Sequence, residues 1–246
     1  MSSANSLDGG RGPEYSALLV SKLAHDLRML LTVIVSCAES IRTFLPADTN
    51  ADEPFAELDG AIDSAFYVSR ELLAMGDPKA TERGVVDLNE LVAQARGVLT
   101  RIIGRDTSLS LRLTATSPFV RADTVELEWV LLHLAANARD AMPNGGLLAI
   151  ETTTVDAWSP HGPEEAPRPR QYVRLAVTDT GRGMTPGTRS RAFEPFFTTK
   201  EGESGLGLTS VAVTVRSLKG WLHVLDNEPQ GTQVHIYLPV LSGQVR

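Results

Sequence analysis

The chain has 246 residues, 42% of them hydrophobic and 22% charged, and a formal net charge of −7. That is the composition of a soluble globular protein with room for two domains, and its acidity excludes the basic footprint that nucleic acid or an anionic membrane surface requires. Apolar runs fall short of the roughly 18–20 residues that span a bilayer, and the polar opening stretch lacks a signal-peptide core, so a cytoplasmic protein without membrane insertion is expected.

Residues 1–14 read as a disordered terminus. From about Glu14 to Leu45 a long helix is expected, stopped by Pro46. Within it Val20, Leu23, Leu27, Leu30, Ile34, Cys37, Ile41 and Phe44 recur at alternating steps of three and four, a heptad seam that packs lengthwise in a bundle. Cys37, the single cysteine, lies in that seam and reads as buried packing in a reducing compartment. A second series, Phe55, Leu58, Ile62, Ala65 and Leu72, makes residues 15–77 a helical hairpin. One hairpin buries one face of each helix, and pairing with a second copy into a four-helix bundle covers the seam. His25 falls at the heptad position farthest from the seam, with Asp26 beside it. An imidazole held in solvent on a rigid helix next to a carboxylate can act as a nucleophile. A lone His-Asp pair is more often an ordinary solvated surface.

Residues 78–86 read as a linker, and a second domain is expected over 87–241 with a short tail at 242–246. Asp87 is placed to cap a helix running to about Ile103. Leu109, Leu111 and Leu113 alternate with polar residues as in a half-buried strand. Thr124–Ala141 reads as a helix, and 146–155 as a strand after the Asn144-Gly145-Gly146 turn. The Pro-rich, charged stretch from Ala157 to Arg170 reads as a surface loop, and 172–178 as the next strand. Gly207–Leu218 reads as a helix, with 221–225 and 232–238 closing as a pair. The class is α+β, a mixed sheet with helices on one face, preceded by the hairpin.

Four stretches of the second domain carry the residue types that hold a nucleotide. In the first, 131–142, His133 and Asn137 lie one helical turn apart and face the same way as Asp140, and the Asn137 amide suits a hard cation that already carries phosphate oxygens. In the second, Asp179 ends a strand and is followed by Gly181 and Gly183. Its carboxylate can accept from an exocyclic amine while the glycines admit the ring. The third, 193–200, sets Phe193, Phe196 and Phe197 before two threonines and Lys200, an apolar latch with a phosphate-facing tip. In the fourth, Gly205-Leu206-Gly207 opens a helix, where unsatisfied N–H groups favour phosphate.

Each stretch alone is a common turn or polar face. In this order, however, Asn137-Ala138-Arg139-Asp140-Ala141-Met142, Asp179-x-Gly181-x-Gly183-Met184, Phe193 through Lys200 and Gly205-Leu206-Gly207-Leu208 resemble the asparagine, first glycine, phenylalanine and second glycine boxes of the sensor histidine kinases of two-component systems. His25-Asp26 matches their histidine box, closest to the His-Asp-Phe-Asn-Asn subgroup. The resemblance covers about Ser16 to Val240. It implies a dimerisation and phosphotransfer hairpin followed by an ATP-binding catalytic domain of the α/β-sandwich type. It also implies a homodimer, with ATP and Mg²⁺ as cofactors and a response-regulator receiver domain as partner. Input is expected from an upstream sensor protein or a missing sensor segment. His25 would take the γ-phosphoryl and Asp26 would act as its base; Asn137 would bind Mg²⁺, and Asp179 would read the adenine amine. Asp140, Gly181, Gly183, Lys200, Gly205, Leu206 and Gly207 would line the nucleotide. Residues 184–204 would form a lid anchored by Phe193 and Phe196. The alternative is a relay protein whose second domain is a degenerate scaffold.

Ser204 for the usual threonine before Gly205 and Lys219-Gly220 for a usual Gly-Gly are tolerable departures from the match, and two others bear on activity. His133 stands where the family usually has an asparagine, and imidazole is a poorer Mg²⁺ ligand than an amide oxygen. Leu27-Arg28-Met29 replaces Phe-Asn-Asn, and the family uses the residue four past the histidine to place water when it dephosphorylates its receiver. Met29 carries no group for that. The expected outcome is weak or absent phosphatase activity on a phosphorylated receiver. A fast rate that survives Met29→Ala would contradict this reading.

Overall fold

The computed structural model describes residues 83–157, 170–200 and 205–241, together with isolated residues between 23 and 69. His25, Asp26 and Met29 lie outside the described residues, as do 78–82, 201–204 and 242–246. No helix among the described residues is long and apolar enough to cross a membrane.

Between 23 and 69 the described residues from Leu23 to Ile41 and from Pro54 to Ser69 are helical, and the Leu45 N–H donates to the Ile41 carbonyl at 3.2 Å. The heptad seam does not behave as a self-contained core. Leu23 and Leu30 are each 58% exposed, and Ile34, Ile41 and Cys37 are exposed as well. Leu31 and Ala38, one position further round the helix, are buried, and so is Ile62 of the second series. Cys37, expected to be buried, is thus uncovered within a single chain. A single chain covers the stripe that includes Leu31 and Ala38, and the seam through Cys37 needs a further surface.

The second domain begins earlier than the linker expectation allowed. Gly84–Asp87 forms strand β1, which pairs antiparallel with β3 (Phe119–Ala122) as a two-stranded sheet. Helix α1 (Leu88–Ile103) then starts on the Asp87 cap, whose Oδ1 accepts from the Asn89 and Glu90 N–H groups at 2.8 and 3.1 Å. It ends at Gly104, whose φ of 79° is readily available to glycine. Strand β2 (Thr107–Leu113) lies parallel to β4 (Gly146–Ala157), and β5 (Arg170–Asp179), β7 (Thr232–Pro239) and β6 (Trp221–Asp226) continue the sheet antiparallel, in the order β2-β4-β5-β7-β6. Helices α2 (Thr124–Ala141) and α4 (Gly207–Ser217) pack with α1 over the inner face, while the short α3 (Pro186–Arg191) belongs to the segment between β5 and α4.

The period-two alternation of β7 shows how the core forms: Thr232, Val234, Ile236 and Leu238 are buried and the residues between them are not. Leu148 and Ile150 of β4, with Val173 and Leu175 of β5, add fully buried side chains to the same layer. Helix α2 is buried around much of its circumference, because α1 and α4 flank it and the sheet lies beneath. Even Thr152, fully buried on β4, is satisfied: its hydroxyl donates to Asn89 Oδ1 at 2.5 Å, and Asn89 Nδ2 donates to the Ala115 carbonyl at 3.1 Å.

Leu148→Ala, which opens a cavity in the central layer, should cost about 2–5 kcal/mol in chemical denaturation. Asp87→Ala, which removes one cap, should cost about 1 kcal/mol. Equal losses would mean that the sheet-helix interface is not where the stability resides.

Candidate functional site

An open cleft of about 560 Å³ lies between α2, the C-terminal end of β5, the α3 segment and the start of α4. Of the residues singled out from the sequence, Asn137, Asp179, Gly183, Lys200, Gly205 and Gly207 line it, together with His133. Asp140, Gly181 and Leu206 are not among its lining residues.

Asp179 is the most constrained of these. It is 8% exposed, and its Oδ1 accepts from the Gly181 N–H at 2.8 Å and the Thr232 N–H at 3.2 Å. Burial, opposed by those two backbone donors, pushes its carboxyl above the ordinary value. With Oδ1 committed to the protein, Oδ2 is the acceptor this cleft-lining side chain can offer a ligand. Gly181 itself serves the frame. A methyl there would come within 2.6 Å of the Ala141 carbonyl oxygen, and that carbonyl accepts from the Arg182 N–H at 3.0 Å.

At the other wall, Asn137 projects from α2 one turn after His133, and its Nδ2 is buried without a hydrogen-bond partner among the described residues. An orphaned buried amide in a cleft is costly unless a ligand satisfies it, and rotation about χ2 exchanges its nitrogen for its oxygen. Among the described residues no three His, Cys, Asp or Glu side chains gather to hold a metal. A cation here would therefore depend on the Asn137 oxygen and on ligand oxygens, a donor set that Mg²⁺ accepts.

His133 stacks on Trp129 with ring centroids 5.1 Å apart, and its imidazole lies directly against the Cα of Gly207, where any side chain would overlap it. The Gly207 N-terminus of α4 thus reaches the cleft because that residue has no Cβ. Gly205 has φ 66° and abuts the backbone of Phe196 and Phe197, so the turn before α4 is folded tightly under the phenylalanine segment. Leu206 is buried as the cap residue of α4.

The lid segment is fastened at several points. Arg189 of α3 pairs with Asp226 of β6, the Phe193 carbonyl accepts from Thr209 Oγ1 at 3.3 Å, and Lys200 Nζ reaches Asp140 Oδ2 at 2.5 Å. Phe197 lines the cleft with the Arg191 guanidinium 4.2 Å over its ring. Phe196, expected as an anchor, is 73% exposed with φ 65°, which turns its ring away from the core; Phe197 takes the packed position instead. Asp140 holds two cations, with Arg139 Nε on Oδ1 at 3.0 Å and Lys200 on Oδ2. Burial acts to raise its carboxyl, but Arg139 and Lys200 outweigh that and hold it below the usual range.

Sequence reading assigned no role to Thr232, Trp129 or Arg139. Trp129 was accessible from its spacing, four residues before His133 on one helical face. Thr232 acts through its backbone, so no side-chain pattern marks it.

Residues 122–242 match the family described as histidine kinase-, DNA gyrase B- and HSP90-like ATPase. The chain is 32% identical over 231 residues to the sensor kinase CckA of Brucella abortus (strain 2308), covering 93% of this chain and 24% of that protein. It is 29% identical over 227 residues to the sensor histidine kinase ZraS of Escherichia coli (strain K12), covering 90% of this chain and 45% of that one. The chain thus spans from a quarter to just under half of these two relatives. Among solved structures, the mycobacterial sensor histidine kinase MprB superposes with a TM-score of 0.50 at 28% identity, over 64% of this chain and 97% of that one. Full-length ShkA in complex with AMPPNP shares the fold, with a TM-score of 0.52 at 21% identity over 92% of this chain and 46% of that one. The resemblance to sensor histidine kinases and the α+β nucleotide-domain fold are borne out.

Asp179→Asn keeps an oxygen for Gly181 and Thr232 but turns an NH₂ group into the cleft. Mg-ATP affinity should fall by more than about tenfold while the midpoint of thermal unfolding holds or rises, because a costly buried charge is removed. Unchanged affinity by calorimetry would show that Asp179 does not meet the ligand.

Proposed function

We propose that this chain, which carries a domain of the histidine kinase-, gyrase B- and HSP90-like ATPase family, is the kinase portion of a two-component signalling protein. It would phosphorylate His25 from Mg-ATP and pass the phosphoryl group to an aspartate of a receiver domain. The observation that carries this is the convergence on one cleft of a tethered buried carboxylate, an unsatisfied buried amide, a lysine and a glycine-opened helix.

Each group has a separable task. Asp179 Oδ2 accepts from the adenine amine, and its fixed Oδ1 keeps that acceptor from rotating. Asn137 offers its amide oxygen to the cation, while the first-turn N–H groups of α4 and the Lys200 ammonium face the phosphate end. Bound ATP supplies the phosphoryl group and Mg²⁺ offsets its charge; the protein's part is chiefly positioning and charge neutralisation. Asp26 would orient the His25 imidazole and hold its proton, leaving the other ring nitrogen free to attack.

The exposed apolar seam of Leu23, Leu30, Ile34, Cys37 and Ile41 supports the homodimer. Five aliphatic or thiol side chains at heptad spacing on one face call for a matching face, and a second copy supplies it with the right periodicity. The relay alternative is not favoured: a degenerate scaffold has no need of a tethered Asp179 or an open phosphate end.

Incubating the protein with γ-labelled Mg-ATP should give acid-labile label that is absent in His25→Ala. Label that persists in that variant would contradict the assignment of the acceptor. Absence of label in the wild type, with His25 accepting phosphate from a phosphorylated receiver, would favour the relay.

A further inference from the structure

The nucleotide reading leaves Asp140 without a ligand of its own, since it does not line the cleft whereas Lys200 does. We infer that Asp140 is a specificity-determining residue that competes with ligand phosphate for Lys200, and so sets how far the cleft favours a nucleotide over a nucleoside. The inference rests on the nucleotide reading and deepens it.

Three features carry it. First, the ammonium of Lys200 is already spent: Nζ lies 2.5 Å from Asp140 Oδ2, and both side chains are about three-quarters covered, with 24% and 28% exposed. A short, partly desolvated pair of this kind must be broken before Lys200 can serve a phosphate. Second, the Lys200 N–H donates to Thr198 Oγ1 at 3.0 Å, a local turn that does not depend on the side-chain pair. Exchange can therefore proceed by rotation of the lysine side chain while that turn is kept. Third, Asp140 has a second cation. Oδ1 keeps Arg139, whose Nη1 also donates to the Ile102 carbonyl at 3.5 Å, so release of Lys200 leaves no orphaned carboxylate.

The consequence is a hand-over. A ligand without phosphates has nothing to offer Lys200 and leaves the pair intact. A polyphosphate replaces one carboxylate with more highly charged oxygens and gains only the difference. Asp140 thereby holds phosphate affinity below what Lys200 alone would give.

The test is calorimetric titration of the full chain with Mg-ATP and, separately, with adenosine, for wild type, Asp140→Asn, Lys200→Met and the double variant. Competition predicts that Asp140→Asn binds ATP about three- to tenfold more tightly and adenosine unchanged, with the gain lost in the Lys200→Met background. Weaker ATP binding in Asp140→Asn would overturn the inference, since Asp140 would then be orienting Lys200 for the ligand. A gain that persists with Lys200→Met would also overturn it, leaving only long-range charge repulsion. If Asp140→Asn does not fold, Asp140→Ser carries the same prediction. Wild type that binds no ATP would refute the nucleotide reading itself. Wild type that binds ATP, beside an Asp140→Asn of equal affinity, would refute the competition alone.

Discussion

The buried Asp179 carboxylate, held by the backbone N–H groups of Gly181 and Thr232, is the contact on which the cleft depends. It ties the end of β5 to the turn that follows and to the first residue of β7. The same turn is fastened to the last turn of α2, where the Ala141 carbonyl accepts from Arg182. Asn227 Nδ2 secures the Asp179 carbonyl from a third side at 2.9 Å. A carboxylate buried without cations is unfavourable, and its raised pKa records that cost. The fold accepts it because two backbone donors compensate one oxygen and leave the other for recognition. A neutral residue would close the turn as well but could not present an acceptor.

From that fixed end the cleft opens toward a softer one. There the protein relies on close approach, with Gly207 beneath the His133 ring and Gly205 beneath the Phe196–Phe197 backbone. The His133 imidazole, stacked on Trp129 and seated on Gly207, is as much a packing element as a polar one. That accounts for a histidine at this place without loss of the fold around it. Among the described residues the lid's fastenings include the ion pairs Arg189–Asp226 and Lys200–Asp140, which yield more readily to a charged ligand than an apolar seal does. The rigid recognition end and the exchangeable phosphate end suit a site that must bind, transfer and release.

Much of this was legible from residues alone, for identifiable reasons. Asp87 before an apolar-periodic run marked the start of α1, and the expected Thr124–Ala141 helix matched α2 residue for residue. The strands β1 and β3 were not legible. Four residues such as Gly84-Val85-Val86-Asp87 carry too little alternation to stand out from a linker, and they are stabilised by a partner more than thirty residues away. Phe196 was misread because an apolar residue in an aromatic run was taken as packed, and Cys37 is uncovered within one chain because its seam was expected to be closed by a second copy. Heptad spacing says that a face will be covered and does not say by what. The Asp140–Lys200 pair joins residues sixty apart and depends on the lid's path. Both residues were singled out, yet their meeting could not be read from spacing.

The central claim is that the cleft between α2, the Asp179 turn and α4 is where the nucleotide sits. The direct measurement is amide chemical-shift mapping of the ¹⁵N-labelled chain, titrated with a non-hydrolysable ATP analogue and Mg²⁺. The account predicts saturable shifts concentrated at Asn137, Gly181, Gly183, Gly205, Gly207 and Thr232, with Val120 and Leu238 at the far end of the domain unmoved. Shifts centred away from that cleft, or none at saturating analogue, would contradict it.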